Sequence, residues 1–220
     1  MPAFPIFRDR APLDPASALT SRRAMTVALV AAPALLLGVR AQTGKRVLTP
    51  SQTEGPFYPV ELPRDADNDL LANGRLRYTG GKPAWLGGEV VDTDGRPVRG
   101  AVVEIWQCDE DGHYHHPGDG NRASPSFQGF GRMQVAADGS YRFRTIQPVP
   151  YSGRTPHIHM KVKLGTRELL TTQIYIAGHP GNERDFVWRN LGEAGRSAVT
   201  VPFAPGKDGL AAHAPIVVNA

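Results

Sequence analysis

Three observations predict an all-β fold, a β-sandwich with an irregular N-terminal arm and long loops around its active site. Runs rich in β-branched and aromatic residues recur at short spacing from Trp85 onward, with turn signals between them. Glycine (24) and proline (20) are plentiful among the 220 residues, which favours turns and short strands over long helices. No sustained helical periodicity follows residue 41. Strands at this spacing argue for two packed sheets, and 40% hydrophobic residues are enough to fill one core.

Residues 1–41 read as a leader. Ser21-Arg22-Arg23 precedes an uncharged apolar run from Ala24 to Val39, and Val39-Arg40-Ala41 offers small residues at the usual cleavage offsets. This is the pattern of a twin-arginine export signal cleaved after Ala41, which makes the expected location periplasmic or extracellular. The run is short for a membrane span and carries Pro33. The leader also holds five basic and two acidic residues; without it 20 basic and 19 acidic remain, a net charge of +1 instead of +4. The positive balance is thus largely the leader's, and no nucleic acid partner is expected. The single cysteine, Cys108, cannot form an internal disulfide and reads as a packed strand-end residue.

Residues 42–84 form the arm. T-P-S-Q-T-E-G-P-F-Y-P, from Thr49 to Pro59, is polar and punctuated, as a segment laid over a domain would be. Asp65, Asp67 and Asp69 resemble the opening of a calcium loop, but Leu70 and Leu76 stand where that loop needs glycine and glutamate, so Arg64 to Gly74 reads as a solvated loop.

The domain proper is residues 85–220. Strands are expected at Trp85–Asp92 and Ala101–Gln107, followed by the loop D-E-D-G-H-Y-H-H-P-G-D-G-N. Gly131–Ala136 and Ser140–Ile146 read as a hairpin about Ala137-Asp138-Gly139. Further strands fall at Thr155–Leu164, Glu168–Ile176, Thr200–Phe203 and Pro215–Val218, and Gly178–Glu193 has room for a short helix. Trp85, Trp106, Phe143 and Tyr175 read as core.

The chemistry concentrates at P-V-P-Y-S-G-R-T-P-H-I-H-M-K-V, Pro148 to Val162. In an extended strand His157 and His159 share a face, with Ile158 on the other, so both imidazoles can reach one metal ion. A 2-His-1-carboxylate iron site wants an acid near H-x-H, and Met160, Lys161, Val162 and Lys163 follow instead. No H-E-x-x-H suits a zinc hydrolase. Tyr151 precedes the pair, and Tyr114 stands among His113, His115 and His116, which could alternatively be a surface tract that binds metal adventitiously. A phenol ionises near 10, so tyrosine ligands call for a strong Lewis acid such as Fe(III).

These segments resemble the intradiol ring-cleavage dioxygenases, particularly the protocatechuate 3,4-dioxygenase-like branch. The resemblance is carried by G-G-E-V-V-D-T-D-G-R-P-V-R-G-A-V-V-E-I-W-Q-C-D, G-H-Y-H-H-P, F-Q-G-F-G-R, G-S-Y-R-F-R-T-I-Q-P, P-Y-S-G-R-T-P-H-I-H and L-T-T-Q-I-Y, in order from Gly87 to Gly178, and by T-E-G-P-F-Y-P at Thr53. It implies a non-haem Fe(III) held by Tyr114, Tyr151, His157 and His159, with Tyr114 and His157 equatorial and Tyr151 and His159 axial. It makes Arg154 the active-site arginine, and sets Gln173 near the substrate and oxygen. Glu54 and Tyr58 would line the pocket.

The implied reaction is O2-dependent cleavage of a catechol-type ring between its two hydroxylated carbons, giving a muconate-type diacid. Tyr151 would leave the metal and accept a substrate proton, and Arg154 would stabilise charge on the ring carbon. Implied partners are a catechol-type small molecule, O2 and the twin-arginine export machinery. A homo-oligomer is compatible with this, although the helical dimerisation region of the catechol enzymes has no counterpart here. Only Ser152 and Gly153 separate Tyr151 from Arg154, where characterised members carry a longer insertion with a tryptophan, so a more open pocket is expected. The competing reading is an exported non-catalytic β-sandwich binding module, because G-x-V-x-D-x-x-G-x-P-V-x-G-A-x-V also opens such domains. The tyrosine and histidine set discriminates between the two.

Overall fold

A computed structural model describes residues 45–220. The leader at residues 1–41 lies outside the described residues.

Two five-stranded sheets pack face to face. In the first, β3 (Pro83–Val91) pairs antiparallel with β6 (Ser140–Ile146) along one edge. Along β3, successive stretches pair in parallel with β11 (Gly209–His213) and β12 (Ile216–Val217). Strand β10 (Ala204–Gly206) then pairs with β11. The second sheet runs β5 (Phe130–Gln134), β4 (Ala101–Trp106), β7 (His157–Leu164), β8 (Arg167–Ile176) and β9 (Thr200–Val201). It is antiparallel except for the β8–β9 pair.

The core follows from the two-residue side-chain period of the strands. Leu86 and Val90 of β3 and Tyr141 and Phe143 of β6 face inward from the first sheet. Val103 and Ile105 of β4 and Ile158, Met160 and Val162 of β7 meet them from the second; all nine are buried. Each such side chain contributes about 1.5–3 kcal/mol by leaving water. Strand β8 is buried on both faces from Leu170 to Tyr175, because the arm and loops cover its outer side.

The arm fastens to both sheets. The Thr49 N–H donates to the Val217 carbonyl (3.0 Å), and the Gln52 N–H to the Thr171 carbonyl (2.8 Å). Gln52 Nε2 also donates to Thr172 Oγ1 (2.8 Å) and to the Gln173 carbonyl (3.0 Å).

Two local expectations change. Strands β5 and β6 do not form a hairpin: β5 pairs with β4 and β6 with β3, so the turn at Ala136–Gly139 carries the chain from one sheet to the other. The turn closes with the Gly139 N–H on the Ala136 carbonyl (2.9 Å) and the Ala136 N–H on the Ser140 carbonyl (2.9 Å). After that first pair each strand follows its own buried face. The segment Arg64 to Gly74 is also more than a solvated loop. Leu70 and Leu71 enter the core, and a two-residue ladder joins β1 (Ala72–Asn73) to β2 (Leu76–Arg77). Its aspartates serve the backbone, Asp65 accepting from the Gly74 N–H and Asp69 from the Leu71 N–H.

The helical expectation holds at α1 (Phe186–Arg189), capped by Asp185, which accepts from the Val187 and Trp188 N–H groups. A second helix, α2 (Glu193–Val199), follows it. Phe143 is fully buried where β6 meets the facing sheet. Replacing it with alanine is expected to cost about 3–5 kcal/mol in denaturant-induced unfolding. A loss under about 1 kcal/mol would mean the core is not organised around it.

Candidate metal centre

The outer face of the second sheet, away from the core, carries the site. On β7 the alternation that sends Ile158 and Met160 inward sends His157, His159, Lys161 and Lys163 outward. Across the ladder, His157 lies opposite Tyr175 and His159 opposite Gln173 on β8, while Trp106 of β4 flanks His159 on its other side. Two loops and the arm complete the cluster.

Tyr114 comes from the loop after β4. That loop is organised by the buried Asp109, whose carboxylate accepts from the N–H groups of Asp111 (3.1 Å), His113 (3.0 Å) and Ser124 (2.8 Å). Asp119 accepts from the Tyr114 N–H itself (2.8 Å). The three neighbouring histidines build the loop. His113 Nδ1 lies 3.5 Å from Asp119, His115 Nε2 donates to the Phe127 carbonyl (2.6 Å), and His116 Nδ1 accepts from the Gly118 N–H (2.9 Å).

Tyr151 comes from the link before β7. Ser152 (φ 44°) and Gly153 (φ 78°) both adopt left-handed backbone, and the Arg154 N–H donates to the Tyr151 carbonyl at 2.7 Å. Positive φ at both central residues marks a type I′ turn. It folds Tyr151 back so that its ring lies 5.0 Å from Tyr114 and 5.5 Å from His157, centroid to centroid. Phe57 of the arm stacks on Tyr114 at 4.7 Å. Tyr114, His157 and His159 are buried, whereas Tyr151 is half-buried.

All four candidate ligands thus converge. The Nε2 atoms of His157 and His159 lie 3.2 Å apart. His157 Nδ1 donates to the Thr155 carbonyl (2.6 Å), which leaves its Nε2 with the lone pair. Burial, then the nearby Arg154, pushes His157 down to about 4, and burial with His157 and Arg154 pushes His159 well below its usual range. Both rings are neutral at pH 7, as metal ligands must be. The Tyr114 hydroxyl is buried without a hydrogen-bond partner. Burial, then Cys108 and Tyr151, raises it well above the usual phenol range. An orphaned phenol beside two neutral imidazoles fits a strong Lewis acid, which would displace its proton. Among the described residues no group of three or more His, Cys, Asp or Glu side chains is placed to hold a metal ion, and the rings of Tyr114 and Tyr151 meet the histidine pair. Cys108 is no candidate nucleophile, since burial first and then Asp109 push its thiol up to about 12.

Arg154 lies beside the cluster, held by two partners. Its Nε donates to Asp185 Oδ2 (2.7 Å) and its terminal nitrogen to Gln173 Oε1 (2.7 Å). Gln173 is fixed in turn, accepting from the Tyr175 hydroxyl (3.0 Å) and donating to the Thr53 carbonyl (2.9 Å). The polar ends of Glu54 and Tyr58 are taken up by partners on the outer face of the sheet. Glu54 pairs with Lys161, and the Tyr58 hydroxyl donates to the buried Glu104 (2.8 Å), which also pairs with Lys163 (3.1 Å).

Sequence reasoning missed Asp185, whose only sequence signal is its place before the short helix. It also missed the wall role of Trp106 and Tyr175, read there as core. Trp106 stacks on His159 at 4.8 Å, and Tyr175 lies 5.8 Å from His157. Both readings are true of the same side chains, because each is a buried residue on the outer face.

Comparison with known proteins follows the same residues. Residues 53–191 match the profile of the Dioxygenase_C family, described as "Dioxygenase". The protocatechuate 3,4-dioxygenase beta chain of Burkholderia cepacia is 34% identical over 165 residues, 68% of each chain. The hydroxyquinol 1,2-dioxygenase of Nocardioides simplex is 32% identical over 61% of this chain and 49% of its own. This chain thus spans about half the length of the first curated relatives it matches. Among solved structures, the dioxygenase domain of a dioxygenase carbohydrate-binding protein fusion from Streptomyces sp. SirexAA-E is 30% identical, with a TM-score of 0.64. The match covers 79% of this chain and 99% of that one.

The Arg154–Asp185 pair generates a pH prediction. Burial alone would raise Asp185, but hydrogen bonds from Arg154 and from the Trp188 and Thr155 N–H groups outweigh it and hold the carboxyl below its usual range. The folded value is the lower one, so this stabilisation is present above the ordinary carboxylate pKa of about 3.9 and is lost as pH falls through the folded value. Asp185→Asn should cost about 3 kcal/mol or more at pH 7 and flatten the fall of stability in acid. Thermal melts at pH 7 and pH 3 check this, and equal wild-type and variant Tm values at pH 7 would refute it.

Proposed function

Since this chain belongs to the intradiol ring-cleavage dioxygenase family, we propose that it is a non-haem Fe(III) enzyme cleaving a catechol-type ring between its two hydroxylated carbons with O2. The observation that carries the reading is the buried, unpartnered Tyr114 hydroxyl converging with two neutral imidazoles and Tyr151. Tyr114, Tyr151, His157 and His159 would hold the metal. Bound there, Fe(III) would supply the Lewis acidity that ionises these phenols and favours the catechol dianion, the electron-rich form open to O2.

The chain's own groups do the rest. Tyr151 is the half-buried member of the set, on a two-residue turn; held as a tyrosinate, its Oη would accept one catechol proton, and the second would pass to solvent. Arg154 stays charged: burial would lower it, and the bonds to Asp185 outweigh that. Its guanidinium stabilises negative charge developing on the ring carbon. Gln173 and Asp185 hold Arg154 in that orientation, one on each side. Phe57 over Tyr114 excludes water from the buried side. Relatives named for hydroxyquinol, catechol and protocatechuate support a substrate of the catechol class. Export by the leader would place the reaction outside the cytoplasm. A non-catalytic binding module would have no use for an orphaned phenol among neutral imidazoles.

Ferric reconstitution should give a coloured protein through tyrosinate-to-iron charge transfer, with O2 uptake on at least one of catechol, protocatechuate and hydroxyquinol. A colourless, iron-free protein would refute the metal, and iron-loaded protein inert toward the whole panel would refute the reaction. Tyr114→Phe should shift or bleach the band, and an identical spectrum would remove Tyr114 from the ligand set. Arg154→Leu should lower kcat/KM by roughly 100-fold or more while leaving the band in place.

A further inference from the structure

The two imidazoles are held in different ways. His157 is fixed by its Nδ1–H bond to the Thr155 carbonyl, the usual outer partner of a ligating histidine. His159 has none: its Nδ1 is buried and without a hydrogen-bond partner. Torsion about the ring bond of histidine is soft, so another constraint must set the direction of Nε2.

Two neighbours supply it. The His159 ring lies flat on the Trp106 indole, with centroids 4.8 Å apart and planes within 8°. The indole is buried in its turn, with Tyr58 packed edge-on at 5.0 Å. At the Cε1 edge of His159 the arm backbone closes in at Gly55. A Cβ there would stand 3.2 Å from Cε1 and 3.9 Å from Nε2. Gly55 has φ +73°, a conformation that glycine adopts at little cost. The arm is tied down on both sides of it, by the Glu54–Lys161 pair before and by Phe57 on Tyr114 after.

We infer that Gly55 and Trp106 are positioning residues for His159, fixing its ring by packing where His157 is fixed by a hydrogen bond. The inference rests on the iron reading above. It makes the arm a structural component of the metal centre, and makes His159 the ligand whose aim depends on the arm.

The test uses the full chain loaded with ferric iron. Gly55→Ala puts a methyl group against Cε1. Gly165→Ala is the control, because Gly165 has a comparable φ of +61° with nothing within 4 Å of the added carbon. Trp106→Phe removes the broad stacking surface while keeping an aromatic core residue. Iron affinity is measured by competition with a chelator, beside the visible charge-transfer band and Tm. Gly55→Ala and Trp106→Phe should bind iron roughly 10- to 100-fold more weakly with a shifted band, while Gly165→Ala keeps wild-type iron binding and band. Wild-type affinity and band in Gly55→Ala, with only Tm lowered, would overturn the inference and leave the iron reading standing. A wild-type protein that takes up no ferric iron would overturn both.

Discussion

The two-residue period of β7 is the constraint on which the site depends. Ile158, Met160 and Val162 are committed to the core, so His157 and His159 must stand together on the opposite face, two residues apart and in reach of one ion. A one-residue slip would bury the imidazoles among aliphatic side chains and expose the core face. The hydrophobic drive that assembles the sandwich therefore also sets the ligand direction.

That arrangement creates a second demand. The outer face of a sandwich sheet is ordinarily wet, whereas here three of the four candidate ligands are buried. The shielding comes from irregular chain: the arm across β8, the Asp109-centred loop that presents Tyr114, and the type I′ turn that folds Tyr151 inward. Their backbone groups are satisfied by side-chain carboxylates and short turns instead of a ladder, as buried irregular segments require. This explains why acidic residues recur where no metal needs them. Asp109, Asp119 and Asp185 accept backbone N–H groups and hold the elements that carry Tyr114 and Arg154.

Electrostatically the site is set for a cation. Its imidazoles are neutral, its buried phenol lacks a partner, and its arginine is already paired with Asp185, so the cluster carries little net charge of its own. The arginine's partners matter chemically, because a guanidinium locked by Gln173 and Asp185 presents its charge in one direction. The sandwich itself would serve a binding module equally well; the chemistry lies in what the loops bring to its outer face.

The sequence by itself determined most of the sandwich strands, though not β10 and β11, and the shared face of His157 and His159; its resemblance to a known family singled out the four side chains that converge. Those rest on local rules of strand period and turn composition, and on motifs whose order survives in the chain. The same local rules misread Ala137-Asp138-Gly139 as a hairpin turn, because a tight turn looks alike whether its strands pair with each other or part into two sheets. They also could not separate core from site wall at Trp106 and Tyr175, since burial on either face of a strand selects the same residue types. Only the tertiary structure decided that Tyr114 reaches the histidines, that Asp185 holds Arg154, and that the arm presses Gly55 against His159. Each joins residues far apart in the chain, and no local pattern encodes which distant surface a loop will close upon.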